Sequence, residues 1–234
     1  MEADRCVPGN EPSLVLFISY VRVEIVCPHR PTLRGLRAAW HACLRPADVP
    51  PQVTLRYRVT QQATMYRVFR EASEVTATTE AADVLPLLEA ALYADLRALH
   101  AGETLLHAAS LTRARAAVVL LGGSGDGKST LSWHALAVGF RYLTDELVVY
   151  DGARVWGLCR SIQFAVTADT RALPLFLRDA DRATYRLRAG GGTSVADLPI
   201  VAPEETQIDR GPVPAADVWL VRVRHVTVAG AGTD

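Results

Sequence analysis

A short run in the middle of the chain combines glycines, a lysine and a serine in a spacing that can hold a phosphate. It fits the pattern G-x-x-x-x-G-K-[ST] and consists of Gly122, Gly123, Ser124, Gly125, Asp126, Gly127, Lys128 and Ser129, with Thr130 next. The glycines let backbone N–H groups converge on an anion at the start of a helix. Lys128 would reach the β- and γ-phosphates of a nucleotide, and the Ser129 hydroxyl would ligate Mg²⁺. The sequence therefore predicts a site for ATP and Mg²⁺ over these residues.

The composition of the chain draws attention to the lysine of this run. The chain has 234 residues, and Lys plus Arg equals Asp plus Glu at 25, so the formal net charge is zero. Lys128 is the only lysine among 24 arginines. A compact ammonium differs from a planar guanidinium, so arginine would not replace it well at a phosphate. The alternative is a glycine-rich turn with a surface lysine. The balanced charge gives no support for a nucleic-acid binder.

A histidine and two acids flank the run in sequence. His107 stands 21 residues before Lys128, and Asp145, followed by Glu146, stands 17 residues after it. Phosphoryl transfer needs a hydroxyl and a carboxylate at the metal ion, and a group that takes the proton of the acceptor. Ser129 with Glu146 or Asp145 can supply the metal ligands. Two alternatives stay open: His107 is buried and bonded to backbone, or the two acids cap a turn between strands.

The sequence around these residues resembles the HPr kinase/phosphorylase family and its kinase-like relatives. Residues 106–109, 122–129 and 139–146 carry the resemblance, which covers residues 105–150 firmly and residues 155–228 only loosely. That family phosphorylates a serine hydroxyl of the phosphocarrier protein HPr. By this resemblance Asp145 is the general base and His107 lies beside the transferring phosphate. Glu146 takes the place of a second acid, which is an aspartate in the family. Asp145, His107 and Lys128 are thus the expected catalytic residues.

The chain also departs from the family pattern in ways that narrow the expected function. The downstream glycine-rich signature is missing, and no loop for the reverse phosphorolysis is recognisable, so we expect kinase chemistry alone. The C-terminal helices that the family uses for assembly and substrate binding are not expected before Asp234. The resemblance then points to divergent HPr-kinase-like proteins, some of which phosphorylate a terminal serine of ribosomally made peptides such as lasso peptides. A nucleotide-binding regulatory protein without phosphotransfer, and a small-molecule hydroxyl kinase, remain alternatives.

The elements that must position these residues predict an α/β protein. The resemblance implies a mixed-sheet P-loop kinase core of the HPr kinase/phosphoenolpyruvate-carboxykinase-like type, in residues 101–234, with an N-terminal α+β region, residues 1–100, packed on it. Apolar periodicity in the first region predicts strands at 13–27 (one strand or a bent pair), 53–59, 65–69 and 75–79, a helix after Thr32 and a helix over 85–99. In the second region it predicts a helix over 129–138, a mobile glycine loop at 189–194, and strands at 105–111, 116–121, 141–143, 147–150, 154–158 and 218–228.

Other residues bear on location and partners. The cysteines, Cys6, Cys27, Cys43 and Cys159, have no C-x-x-C spacing, which predicts reduced thiols. The polar start is unlike a signal peptide, and the longest apolar run is far shorter than the ~20 residues of a membrane helix. We expect a soluble, cytoplasmic protein whose partner is a peptide or protein with a serine, without nucleic acid or membrane; a homo-oligomer stays open.

Arg160 with Ser161 is a weaker candidate for substrate contact. We expect Trp133, Trp156 and Trp219 to lie in the core.

Overall fold

The first half of the chain forms a five-stranded sheet with two helices against it. The structure is a computed structural model, and it describes residues 11–45, 50–114, 116–164, 181–189, 192–209, 212–214 and 218–224. The strands of the first half are β1 (Ser13–Ile18), β2 (Val21–Val26), β3 (Val53–Gln62), β4 (Met65–Arg70) and β5 (Ser73–Thr78), and they lie in the order β1-β2-β3-β4-β5. The helices are α1 (Arg30–Ala39) and α2 (Ala81–Leu99). Along β1 and β2 every second residue is buried, as the strand periodicity predicts.

This sheet is mixed: it contains antiparallel strand pairs and one parallel pair. Strands β1 and β2 form an antiparallel hairpin, so the predicted pair at 13–27 is confirmed as two strands. Strands β2 and β3 run parallel, and α1 is the crossover between them. Strands β3, β4 and β5 continue antiparallel. Helix α1 begins at Arg30, before the predicted start, and buries Thr32 within its first turn.

The described residues of the second half form three smaller sheets and one α-helix. The helix is α3 (Lys128–Ala137), and the strands are β6 (Thr104–His107), β7 (Ala109–Arg113), β8 (Ala116–Leu121), β9 (Arg141–Thr144), β10 (Leu147–Tyr150), β11 (Arg154–Gly157), β12 (Ile162–Gln163), β13 (Asp181–Ala189), β14 (Gly192–Val201), β15 (Val213–Pro214) and β16 (Val218–Arg222). The sheet orders are β16-β8-β7-β9, β15-β11-β10-β6 and β12-β14-β13. Only the pair of β16 and β8 is parallel among these described strands. The chain is thus a mixed α/β protein with several mixed sheets and few helices.

Two chain segments, residues 104–113 and 141–150, each contribute one strand to each of two neighbouring sheets. The predicted single strand at 105–111 is broken at Ala108, so that β6 pairs with β10 in one sheet and β7 pairs with β9 in the next. The break lies opposite Asp145 and Glu146, which connect β9 to β10, and the Ala108 N–H donates to the Glu146 carbonyl oxygen at 3.2 Å. The sequence did not reveal the break because it depends on the pairing of β6 and β7 with two different strands that lie later in the chain. The two acids therefore sit at the seam between the sheets.

The two halves are joined through their interior. One hydrophobic core includes Leu16 and Leu92 from the first half together with Val148 and Leu198 from the second. At the end of α1, Ser161 supplies two bonds: its N–H donates to the Ala39 carbonyl at 2.7 Å and its Oγ to the Ala38 carbonyl at 2.8 Å. These carbonyls would otherwise lack partners at the helix terminus. The end of α1 is thus completed by a residue more than a hundred positions later.

Three expectations for the last third of the chain need correction. The predicted mobile loop at 189–194 is too long, because residues 192–194 belong to β14, which pairs with β13. The strand predicted at 218–228 is described as β16 up to Arg222, and residues 225–228 lie outside the described residues. Trp219 is 66% exposed, so its expected place in the core is wrong, whereas Trp156 is buried and Trp133 partly so. Strands β12 to β15 were not predicted.

The thiols and the helices give two further results. Cys27, Cys43 and Cys159 are buried and free, as expected, while Cys6 lies outside the described residues. Burial raises the pKa of the Cys27 thiol to about 11, which keeps it protonated. Among the described residues, no helix is long and apolar enough to cross a membrane.

Candidate functional site

The glycine-rich run forms the turn between a buried strand and a helix. Strand β8 ends at Leu121, and α3 begins at Lys128. Gly125 and Gly127 have φ of +85° and +94°, a left-handed conformation that glycine adopts without steric cost. At Gly122 a Cβ would lie 2.8 Å from the Val223 carbonyl oxygen, so the backbone of the chain after β16 leaves no room for a side chain there. Three of the glycines are therefore required by backbone conformation or by close packing.

Lys128 is held by the backbone of the loop. Its side chain is buried, with the residue 8% exposed, and Nζ donates to the carbonyl oxygens of Gly122 at 2.9 Å and Gly123 at 3.0 Å. Within the described part of the chain no carboxylate lies within ion-pair distance of this ammonium. Carbonyl dipoles solvate the charge without neutralising it. The arrangement leaves a positive charge for an anionic ligand.

The Asp126 side chain accepts a hydrogen bond from within the same loop. Its Oδ2 accepts the Gly123 N–H at 2.6 Å, and its own N–H donates to the Gly123 carbonyl at 3.3 Å. These two bonds close a tight turn over residues 123–126. The carboxylate thereby stabilises the loop from within, a contact that the motif spacing alone did not predict.

Ser129 and Asp145 come together as the sequence predicts for a metal site. The Ser129 hydroxyl donates to Asp145 Oδ2 at 2.8 Å, and Asp145 Oδ1 is enclosed and makes no hydrogen bond of good geometry. Burial raises the pKa of the Asp145 carboxyl to about 7; the Ser129 hydrogen bond lowers it, and the Glu146 charge raises it again. The Gln163 backbone N–H and the Arg160 guanidinium lower it to a smaller extent. Asp145 is thus a partly buried acid whose ionisation is poised near neutral pH.

His107 and Glu146 form a second, more exposed pair. His107 Nδ1 lies 3.4 Å from Glu146 Oε1, with 61% of the histidine side chain and 38% of the glutamate side chain accessible. The alternative of a buried His107 bonded to backbone is therefore wrong. The turn between β9 and β10 is capped by Thr144, whose Oγ1 accepts the Glu146 N–H at 3.3 Å. The side chains of the two acids are left to face the loop and the histidine.

These groups line one cleft of about 320 Å³ beside the loop. Of the residues predicted for the site, the cleft contains His107, Ser124, Gly125, Gly127, Lys128, Ser129, Thr130, Asp145 and Glu146. Gly122, Gly123 and Asp126, which were also predicted, are not among the lining residues. Its far wall is formed by Gln163, Phe164 and Leu198, which no local pattern predicts, since they come from β12, the chain next to β12 and β14.

The oxygen ligands suit one kind of metal ion better than others. No group of three or more His, Cys, Asp or Glu side chains in the described residues forms a cage for a metal. Mg²⁺ is commonly bound by one or two protein oxygens together with the phosphates of a nucleotide. Ser129 Oγ and the Asp145 carboxylate, 2.8 Å apart, fit that requirement, and Glu146 lies next to them. The donor set therefore fits Mg²⁺ that arrives with a nucleotide.

Arg160 does not approach the cleft as a free cation. It is 4% exposed, and its Nε and Nη2 donate to Oε1 and Oε2 of Glu89 at 3.2 and 3.3 Å. Trp40 Nε1 also donates to Glu89 Oε1 at 3.0 Å. Because Ser161 holds the end of α1, the weaker prediction that these two residues contact a substrate is replaced by a structural role for both.

Comparison with known proteins adds no assignment to this geometry. No protein-family model matches the sequence, and no curated protein is significantly similar to it. The cleft and its residues are therefore the basis for a proposal about function.

Proposed function

We propose that this protein is a kinase that uses ATP and Mg²⁺ to phosphorylate a serine hydroxyl of a peptide or protein. The observation that carries the proposal is the meeting of five groups at one cleft: Lys128, Ser129, Asp145, Glu146 and His107. A loop that can hold phosphates, a hydroxyl–carboxylate pair that suits Mg²⁺ and a second carboxylate beside an imidazole are the parts that phosphoryl transfer requires.

The loop and Lys128 would bind the phosphates of ATP. Backbone N–H groups at the start of α3 would donate to the phosphates, and the helix dipole favours negative charge there. The Lys128 ammonium, already fixed by two carbonyl oxygens, would contact the β- and γ-phosphates. The HPr-kinase-like resemblance of the sequence agrees with this role and with a kinase core of the phosphoenolpyruvate-carboxykinase-like type.

The acids would hold the metal ion and take the proton of the acceptor hydroxyl. Ser129 with Asp145, and Glu146 beside them, would hold Mg²⁺, which when bound neutralises charge on the phosphates. By the resemblance Asp145 also takes the proton of the acceptor hydroxyl. His107 on the open side of the cleft would donate a hydrogen bond to the transferring group.

The reaction balances without a further reactant. A bond forms between the serine Oγ and the γ-phosphorus, the bond from that phosphorus to the β–γ bridging oxygen breaks, and the hydroxyl proton moves to Asp145. ADP and the phosphoserine peptide are the products. A cytoplasmic location, where ATP and Mg²⁺ are abundant and buried thiols such as Cys43 stay reduced, fits the proposal.

Incubation of the protein with Mg·ATP and peptides that end in serine tests the proposal. Mass spectrometry should detect the gain of one phosphate on the serine, and a peptide with alanine in that position should gain none. ATP that binds without any phosphopeptide would contradict phosphotransfer and favour a nucleotide-binding interaction protein. Phosphate found instead on small hydroxyl compounds would contradict a peptide substrate. A protein that binds no ATP would contradict the proposal as a whole.

A further inference from the structure

We propose that Asp126 is a positioning residue that holds the phosphate loop in its binding conformation before any nucleotide arrives. The inference rests on the proposed function in one respect, since it takes this loop to be the phosphate site. Asp126 lies within the motif at a position where the pattern G-x-x-x-x-G-K-[ST] requires no particular residue. Its carboxylate is therefore a feature of this chain rather than of the motif.

The contacts of Asp126 close the loop on itself. Oδ2 accepts the Gly123 N–H at 2.6 Å, and the Asp126 N–H donates to the Gly123 carbonyl at 3.3 Å, so one residue is bonded through both side chain and backbone. The same Gly123 carbonyl accepts a bond from Lys128 Nζ at 3.0 Å. Fixing Gly123 thus also fixes one of the two oxygens that orient the ammonium.

The loop needs such a bond because of its composition. Four glycines stand between residues 122 and 127, and glycine loses more conformational freedom on ordering than any other residue. A hydrogen bond to a charged carboxylate is among the stronger ones in proteins. A loop that is ordered before binding loses less entropy when the ligand binds, so the protein has a higher affinity for that ligand.

The position of the carboxylate distinguishes this role from contact with the ligand. Asp126 is not among the residues that line the cleft, and its Oδ2 lies 3.0 Å and 3.4 Å from where Cβ atoms on Gly122 and Gly123 would be. It thus occupies the side of the loop next to the end of β8. An acid that acted only through its charge would instead repel a phosphate.

Replacement of Asp126 by alanine and by asparagine separates these two effects. Asp126→Ala removes the acceptor, and we expect calorimetry to show a Kd for Mg·ATP about tenfold higher than that of the natural protein. Asp126→Asn keeps an oxygen acceptor without the charge, and its Kd should stay within about threefold. Asp151→Ala is the matched control, because Asp151 Oδ1 accepts the N–H groups of Ala153 and Arg154 in a turn elsewhere; it should leave the Kd unchanged.

Hydrogen exchange of the Gly123 amide tests the inference in the protein without ligand. The amide should exchange faster in Asp126→Ala than in the natural protein, and Asp126→Asn should restore its protection. Unchanged exchange in Asp126→Ala would overturn the inference, as would an equal or lower Kd in that variant, or equal weakening by both variants. If the natural protein bound no ATP, the proposed function would fail, whereas the exchange of Gly123 would still decide the role of Asp126.

Discussion

Lys128 and Arg160 are both buried cations, but they are compensated in opposite ways. Arg160 donates to both carboxylate oxygens of Glu89, and Trp40 completes the network. Within the described residues, Lys128 donates to two backbone carbonyl oxygens and to no carboxylate. A buried charge without its counterion is costly, and a protein keeps one where a ligand brings the missing charge. The Glu89–Arg160 pair thus joins the two halves of the chain, whereas the Lys128 charge is left for the anionic ligand of the proposed function.

Removal of the Lys128 ammonium has the largest expected effect. Lys128→Ala should lower phosphotransfer at least about 10³-fold, since charge stabilisation at the transferring phosphate is lost. The free energy of unfolding in urea should change little or rise, because an uncompensated buried charge is removed. Lys128→Arg should not restore transfer, and Arg113→Ala, which removes an exposed cation, should leave it intact. A large loss of stability in Lys128→Ala would contradict the comparison.

The second test removes the counterion of the other pair. Glu89→Ala removes the buried carboxylate that accepts hydrogen bonds from Arg160 and from the Trp40 N–H, and the free energy of unfolding should fall by about 3–5 kcal/mol. The exposed pair of Glu74 and Arg67, 2.7 Å apart, is the control: Glu74→Ala should cost under about 1 kcal/mol. Under conditions where Glu89→Ala is folded, its Kd for Mg·ATP should match that of the natural protein. A specific loss of affinity would show that the pair belongs to the site.

The third test compares two neighbouring glycines of the loop. A Cβ on Gly122 would lie 2.8 Å from the Val223 carbonyl oxygen, whereas on Gly123 the nearest atom is Asp126 Oδ2 at 3.4 Å. We expect Gly122→Ala to reduce stability by roughly 2–3 kcal/mol through overpacking, and to weaken nucleotide binding with it. Gly123→Ala should be nearly neutral in urea unfolding. Equal effects of the two substitutions would mean that the chain after β16 does not pack on the loop as described.

The smallest expected effect concerns the pH dependence of stability. The pKa of Asp145 is raised to about 7 from 3.8, so the folded protein binds this proton more tightly than the unfolded chain does. Its contribution to stability is full below about pH 4 and is lost as the pH rises through about 7. Relative to Asp145→Asn, the natural protein should lose about 2 kcal/mol between pH 5 and pH 8 in urea unfolding.

A second aspartate provides the control for that measurement. A backbone hydrogen bond from Ala153 lowers the pKa of Asp151, so its contribution is present above the ordinary pKa and is lost as the pH falls. Asp151→Asn should therefore differ from the natural protein in the opposite direction. An identical pH profile for Asp145→Asn and the natural protein would contradict the burial of the Asp145 carboxyl. The Asp145→Asn variant should also bind ATP but transfer no phosphate.

Local patterns predicted the strands and helices near the site well. The run from β8 through α3 and the strands β9 to β11 were expected within one or two residues, because apolar periodicity and glycine turns act over short stretches. The hairpin of β13 and β14 was missed because three consecutive glycines read as a loop. The break at Ala108 and the parallel pairing of β2 and β3 depend on contacts between distant segments, which periodicity does not encode.

Part of the candidate site was predictable because the glycine-rich motif is also a local sequence pattern. The motif spacing identified Lys128 and Ser129, and the resemblance added Asp145, Glu146 and His107, all of which line the cleft. The partnership of Arg160 with Glu89 spans 71 positions, and one arginine among 24 carries no local sign of it. The far wall of the cleft, with Phe164 and Leu198, likewise exists only after the sheets have assembled.

The bonds from Ser161 to the end of α1 set an order in which the chain can fold during its synthesis. Helix α1 is made early, yet the carbonyls of Ala38 and Ala39 receive their partners only when Ser161 has left the ribosome. Contacts of such high sequence separation form late and slow the folding of the whole chain. Until Ser161 has been made, the end of α1 lacks these two bonds, so the first half of the chain gains its full stability only after residues of the second half are present.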